Sequence, residues 1–197
     1  MSREEIWDLG RRALLLDDSA FDELRYEESF TLLAVLAAVG AVFLAGVGAW
    51  LFGYTVLDST PDGWLIDTLF LGTFFTFILF AAGSSITYLL MARVFHIEDV
   101  QMEEFARVAL LAYAPYGLGL LVFVPEIGFA IGVLSIIGVF FYSVYGIGVA
   151  FSEESESRLS VAASVLAGLM FWLLLITLIS GPGSNYATGV FVFSLLD

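Results

Sequence analysis

A proline and two tyrosines near the middle of the chain have the most distinctive chemistry in the sequence. Pro115 has no N–H, so the Leu111 carbonyl loses its usual helical donor, and Tyr113 and Tyr116 bring two hydroxyl groups to the same place. These groups could form a small internal hydrogen-bonded site, or a neighbouring helix could satisfy them. We expect a bend between Leu111 and Pro115. It should be buried against the polar face of the second apolar run, residues 76–87, with one of the two tyrosines in the contact.

Ionisable side chains are missing from the middle of the apolar runs, where membrane enzymes and proton relays place them. Asp67 and Glu126 lie near the predicted outer ends of runs, and Arg93 and His96 lie at the inner boundary. The chain has no cysteine, and His96 is its single histidine, which excludes thiolate and multi-histidine metal sites. The sequence therefore predicts no catalytic, cofactor-binding or metal-binding residue and a protein that is not an enzyme.

Small and weakly polar residues recur in two of the apolar runs. They are Gly72, Thr73, Thr76, Gly83, Ser84, Ser85 and Thr87 in the second run and Gly128, Gly132, Gly138, Gly146 and Gly148 in the fourth. Such residues let helices approach closely, and this packing role is favoured over a polar pathway for a solute. A water-accessible cavity between the second, third and fourth helices would support the pathway, and a dry bundle would count against it.

The elements that carry these residues are five long apolar runs. Of the 197 residues, 60% are hydrophobic and only 14% are charged, which leaves too few charges to cover a soluble domain. The runs are residues 30–52, 64–91, 108–124, 128–151 and 159–180. All but the third exceed the length that a helix needs to cross a bilayer, and continuous runs favour helices over strands. We predict an all-α polytopic membrane protein with five transmembrane helices in one bundle.

All seven basic residues are arginines, and all fall on the same side of the predicted bundle. By the positive-inside rule, the N-terminus is cytoplasmic, the C-terminus is extracytoplasmic, and the protein is a multi-pass protein of the cell membrane. Three regions follow: an acidic tail at 1–29, a transmembrane domain at 30–180, and an outer tail at 181–197. The apolar segment 190–196 is too short to span, so it lies at the outer interface or tucked against the bundle.

The N-terminal tail has two open interpretations. Ile6, Leu9, Ala13 and Leu16 recur at helical spacing, which suits a short helix at the inner membrane surface. A partly disordered acidic tail is the alternative, because interfacial helices usually carry more basic residues. The net charge of −14 excludes nucleic acid as a partner and, with no lysine in the chain, suggests a halophilic source and instability at low salt.

Five short motifs follow one another along the chain: Phe21-Asp-Glu-Leu-Arg, Leu90-Met-Ala-Arg-Val-Phe, Ala109-Leu-Leu-Ala-Tyr-Ala-Pro-Tyr, Val124-Pro-Glu-Ile-Gly and Tyr142-Ser-Val-Tyr-Gly-Ile-Gly. Their order resembles the Yip domain family of polytopic membrane proteins, and the resemblance would make the chain a prokaryotic, haloarchaeal-type member. Eukaryotic members interact with Rab-type GTPases in membrane traffic. The resemblance implies five helices in the same orientation as the arginine argument gives, and it supplies no catalytic residues.

Function is predicted at a coarser level than fold. The preferred hypothesis is a scaffold that binds membrane lipids and an unidentified membrane or cytoplasmic protein, and the alternative is a small-solute or ion transporter or channel working as a homo-oligomer. We expect Glu126 to be a hydrated turn residue beside Pro125. The candidate structural or interaction positions are Phe21, Arg93, Tyr113, Pro115, Tyr116, Pro125, Glu126 and Tyr145.

Overall fold

A computed structural model describes residues 3–57, 62–97, 100–151, 155–179, 188–189 and 191. Seven α-helices make up most of these residues, and the described part of the chain contains no strand. The helices are α1 (Arg3–Leu14), α2 (Asp18–Tyr26), α3 (Thr31–Thr55), α4 (Thr73–Leu89), α5 (Met102–Ala112), α6 (Gly128–Phe151) and α7 (Ser155–Ile179). The all-α prediction is confirmed.

Five helical segments are long and apolar enough to cross a membrane, as predicted. They are Glu28–Thr55, Ile66–Val94, Met102–Phe123, Gly128–Phe151 and Arg158–Ile179. The second extends α4 at both ends by π-helical turns, Ile66–Gly72 and Leu90–Val94. The third begins six residues before the predicted Val108, because Glu103 and Glu104 occupy the first turn of α5, where the helix dipole favours acids.

Small residues line the buried face of the first span. Five alanines of α3 that recur every three or four residues are buried: Ala34, Ala38, Ala41, Ala45 and Ala49. Large side chains such as Leu36 and Phe43 point outward and are exposed to the surroundings of the bundle. This is the arrangement expected in lipid, where close van der Waals packing, and not exclusion from water, holds helices together.

Helices α4 and α7 approach each other closely at a pair of glycines. A Cβ added to Gly83 would lie 2.7 Å from the Gly168 carbonyl oxygen, and one added to Gly168 would lie 2.5 Å from that of Gly83. Only glycine fits both positions at this separation. Gly83, one of the small residues noted in the sequence, therefore serves close helix packing.

Residues 3–26 form a helical hairpin that packs against the bundle. Leu9 and Ala13 of α1 and Leu24 of α2 are buried in one cluster with Ala34 of α3 and Leu111 of α5. The helical spacing predicted a helix correctly, and Leu9 and Ala13 on it are buried against the rest of the protein. We call the end of the bundle that carries this hairpin the hairpin end.

A short piece of the C-terminal region packs inside the bundle. Thr188 and Gly189 are buried, and the Phe191 ring lies 6.2 Å from that of Trp172 of α7, edge to face. Phe191, the one residue of the predicted apolar segment 190–196 that the structure describes, takes the position against the bundle. Residues 190 and 192–196 of that segment lie outside the described residues.

Candidate functional site

The third span changes helix type at the proline. The α-helix α5 ends at Ala112, and residues Ala114–Phe123 continue as a 3₁₀-helix with Pro115 in its first turn. The helix type thus changes between Leu111 and Pro115, where the bend was predicted, and the bend itself stays a prediction. Pro115 also packs against α6, where a Cβ added to Gly138 would lie 2.8 Å from the Pro115 Cβ.

Tyr113 provides the expected contact with α4. Its ring stacks on Phe80 at a centroid separation of 3.7 Å and on Tyr116 at 5.0 Å, and Trp172 of α7 meets it edge to face at 5.7 Å. All four rings are buried. They form an aromatic core, the tyrosine cluster, between the third span, α4 and α7.

A chain of hydroxyl groups leaves the tyrosine cluster on one side. The Tyr116 Oη lies 3.1 Å from the Thr188 Oγ1, which lies 2.9 Å from the Thr76 Oγ1 of α4. The three hydroxyls link the third span to the second through Thr188, which lies in the C-terminal region of the chain. Sequence reasoning placed Tyr116 near the polar face of the second span but missed Thr188, because nothing local in the sequence pairs it with a site 72 residues away.

Two polar atoms of the tyrosine cluster have no hydrogen-bond partner among the described residues. They are the Tyr113 hydroxyl and the Trp172 indole nitrogen, and both side chains are fully buried. An unpaired buried donor costs about 1–3 kcal/mol. The sequence prediction of a site built from both phenols therefore applies to Tyr116, whereas Tyr113 contributes its ring and not its hydroxyl.

The space between α4, α5, α6 and α7 is small. A cavity of about 10 Å³ lies among residues that include Ser84, Thr87 and Ser143. That volume is at the lower limit for holding a single water molecule. The weakly polar residues of α4 thus lie in a close-packed interface between helices in this region and do not line an open passage.

Two arginines at the hairpin end cap helices other than their own. The buried Arg107 of α5 donates from Nε to the Leu24 carbonyl at 2.9 Å and from Nη2 to the Arg25 carbonyl, both in the last turn of α2. Arg25 donates from Nη1 to the Ala150 carbonyl at 2.6 Å, near the end of α6, and pairs with Glu104 at 2.8 Å. Each cation satisfies carbonyls that a helix terminus leaves open.

Aromatic side chains of α6 complete the docking of the hairpin. Phe21 is fully buried against Gly146, and its ring lies 5.8 Å from that of Tyr145. The Tyr145 hydroxyl lies 2.8 Å from the Leu16 carbonyl and also contacts the Asp18 carboxylate. The structure thus brings together two predicted positions, Phe21 and Tyr145, that are more than 120 residues apart in the chain.

The remaining predicted positions are exposed. Arg93 lies in the π-helical turn that ends the second span, with His96 three residues further on. Pro125 and Glu126 form the turn between the 3₁₀-helix and α6, and Glu126 has a φ of +72°. Glu126 is an exposed turn residue, as predicted, and its position at the outer membrane interface stays a prediction.

Charged side chains of the hairpin also interact with one another. Arg12 pairs with Glu23 at 2.6 Å and with Asp8 at 2.9 Å, and the hydrogen bond to Glu23 is the main cause of the raised pKa of Arg12. Asp17 caps the N-terminus of α2, and its hydrogen bonds from the Ser19 hydroxyl and N–H lower its pKa. The described residues contain no cluster of histidine and acidic side chains that could hold a metal ion.

Sequence reasoning overlooked the capping roles of Arg25 and Arg107 and the core position of Trp172. A signal for the arginines was present, since Arg107 directly precedes an apolar run and a buried arginine requires partners. No family model, curated protein or solved structure matches this chain.

Proposed function

We propose that this integral membrane protein is a non-enzymatic scaffold that binds a protein partner through the hairpin end of its bundle. Two acid-lined depressions at that end carry the proposal. One, of about 310 Å³, is lined by Glu28, Thr31, Glu103, Ala106, Arg107 and Leu110. The other, of about 250 Å³, is lined by Glu5, Glu23, Glu27, Ser29 and Phe30.

The acidic character of these depressions defines the class of partner. Glu27, Glu28 and Glu103 are exposed, and in a chain of net charge −14 they favour a basic segment of a membrane or cytoplasmic protein. The arginine caps hold the hairpin, and hence the depressions, in a fixed position on the bundle. A preformed surface of this kind suits binding, because little ordering is required of the protein itself.

We favour a scaffold over a transporter because little space lies between the described spans of a single chain. The cavity of about 10 Å³ between α4, α5, α6 and α7 is far smaller than either depression at the hairpin end. A solute pathway would need a polar opening at membrane depth, as the transporter hypothesis requires. The proposal agrees with the resemblance to Yip domain proteins and with a cytoplasmic N-terminus, both of which stay predictions.

Crosslinking in native membranes, followed by mass spectrometry of captured proteins, tests the proposal. The informative variant combines Glu27→Gln, Glu28→Gln and Glu103→Gln, and the matched control is Glu126→Gln, an exposed acid in the turn before α6. We expect one reproducible partner that the control retains and the triple variant loses, with weaker capture at higher salt. Capture that is identical for both variants would contradict binding through the acidic depressions.

A further inference from the structure

Helix α1 has a second apolar face that the protein does not cover. Leu9 and Ala13 are buried in the cluster with α2, α3 and α5, whereas Trp7 is 79% exposed and Leu14 60% exposed. Trp7, Arg11 and Leu14 follow i, i+4, i+7 spacing, so they share one side of the helix. Leu15, 70% exposed, extends this outer face at the end of α1.

Hydrogen bonds from α6 fix the position of this face along that membrane-spanning helix. The Tyr142 hydroxyl donates to the Leu14 carbonyl, and the Tyr145 hydroxyl donates to the Leu16 carbonyl. Tyr142 lies nine residues before the end of α6 at Phe151, or about 14 Å along the helix axis. The end of α1 therefore lies beside the wall of a membrane-spanning helix and not beyond it.

Close to its contact with α1, helix α6 also carries an exposed apolar side chain. Phe141, next to Tyr142 in α6, is 62% exposed and points away from the bundle. On its other side, α1 packs tightly enough that only about 10 Å³ of space is left near Gly10, Ala13 and Leu111. Helix α1 thus covers part of the third span and replaces its lipid-facing surface with a new one.

We propose that the outer face of α1, formed by Trp7, Arg11, Leu14 and Leu15, is seated in the headgroup layer of the bilayer that the bundle spans. Tryptophan favours this layer, leucine side chains enter the acyl boundary, and arginine binds lipid phosphate. Arg11 is exposed and forms no ion pair with the side chains that the structure describes. A cation there, in a chain with 21 acidic residues, complements the phosphates.

Tryptophan fluorescence of the reconstituted full chain tests the proposal. Vesicles of phosphatidylcholine and phosphatidylglycerol would contain lipid brominated near the top of the acyl chain. The difference between the wild-type chain and Trp7→Phe isolates Trp7 from the other three tryptophans. Because Trp7 is mostly exposed, this variant leaves the fold intact. We expect brominated lipid to quench most of the Trp7 emission and aqueous acrylamide to quench little of it.

Two other results would overturn the proposal. Strong quenching by acrylamide with none by brominated lipid would place the face in water. Protection from both quenchers would mean that a second copy of the chain or another protein covers it. A Leu14→Ser/Leu15→Ser variant gives an independent measurement: the quenching of Trp7 by brominated lipid should fall in this variant, and unchanged quenching would contradict seating through these leucines.

Discussion

Arg107 donates a hydrogen bond from Nε to the main-chain carbonyl of Leu24 across 2.9 Å, joining α5 to the end of α2. Arg25, the next residue after Leu24, repeats the relationship by donating to Ala150 at the end of α6. Two helix termini are thus closed by arginines from elsewhere in the chain. The hairpin is fixed to the bundle by cations that each satisfy open carbonyls, and not by apolar contacts alone.

Loss of the Arg107 side chain, which caps α2, should weaken the attachment of the hairpin to the bundle. Arg107→Ala leaves the Leu24 and Arg25 carbonyls without their donor, and we expect it to lower the free energy of unfolding by about 2–4 kcal/mol. Chemical denaturation in detergent measures this loss, and hydrogen exchange of α2 amides locates it. Arg93→Ala, an exposed arginine in the turn that ends the second span, is the control and should change neither. Equal effects of both variants would mean that the cap contributes nothing.

Loss of the hydroxyl should change the stability of the protein differently at Tyr113 and at Tyr116. Tyr116→Phe removes the contact with Thr188 and should cost about 0.5–1.5 kcal/mol of stability. Tyr113→Phe removes a hydroxyl that has no partner among the described residues, so it should be neutral or stabilising by about 1 kcal/mol. Thermal unfolding of both variants in the same detergent gives the comparison. A larger loss for Tyr113→Phe would reveal a partner of that hydroxyl.

The five spans could be predicted from the sequence because the apolar runs are long, and because a run is recognised from its own residues without knowledge of its partners. The fourth was placed at Gly128–Phe151, as the structure has it. The partners of Tyr116 and Arg107 could not be predicted in this way. Their contacts join residues more than 70 positions apart, and hydroxyl and carbonyl partners leave no periodic pattern in a sequence.

Helix α1 shows a second limit of prediction from the sequence. The spacing of Leu9 and Ala13 predicted a helix, but the side that packs against the protein could not be read from it, because both sides carry apolar residues. Burial decides between them: Leu9 is inside the protein, and Trp7 is outside. Pro115 was recognised as a disturbance of the third span, yet a kinked α-helix and a change to 3₁₀ turns have the same local signature.

Replacement of Pro115 should disturb the third span without preventing membrane insertion. Pro115→Ala restores an N–H that favours continued α-helix, which would rotate Tyr116 away from Thr188 and loosen the contact with Gly138. We expect a loss of about 1–3 kcal/mol in detergent unfolding, with normal recovery in the membrane fraction. Pro125→Ala, at an exposed turn position, is the control and should stay close to wild type. A Pro115→Ala chain as stable as the control would exclude a structural role for the proline.

The glycine contact between α4 and α7 should tolerate no side chain. Gly168→Ala places a Cβ about 2.5 Å from the Gly83 carbonyl oxygen, so the helices must separate, and we expect a loss of about 1–3 kcal/mol. Gly40→Ala in α3 meets no atom within 4 Å and should be neutral or slightly stabilising through its helix propensity. Unfolding in the same detergent measures both. If Gly168→Ala matched Gly40→Ala, the two helices would not be in close contact.

Acidification should weaken the start of α2 through its cap. Asp17 accepts hydrogen bonds from the Ser19 hydroxyl at 2.6 Å and from the Ser19 N–H at 3.0 Å, and both lower its pKa, with Arg12 adding a smaller effect. Because the folded pKa lies below the unfolded value of about 3.9, the cap is fully stabilising above about pH 4. Its contribution is lost as the pH falls through the folded pKa.

Hydrogen exchange at the first amides of α2, measured between about pH 5 and pH 3 and corrected for intrinsic rates, checks this dependence. Protection should fall with pH in the wild-type chain. Asp17→Asn is the matched variant, because asparagine still caps a helix but does not titrate, so its protection should stay level over the same range. Arg12 stays charged throughout, and therefore cannot produce the change. A wild-type chain whose protection is as level as that of Asp17→Asn would mean that the Asp17 carboxylate does not hold the start of α2.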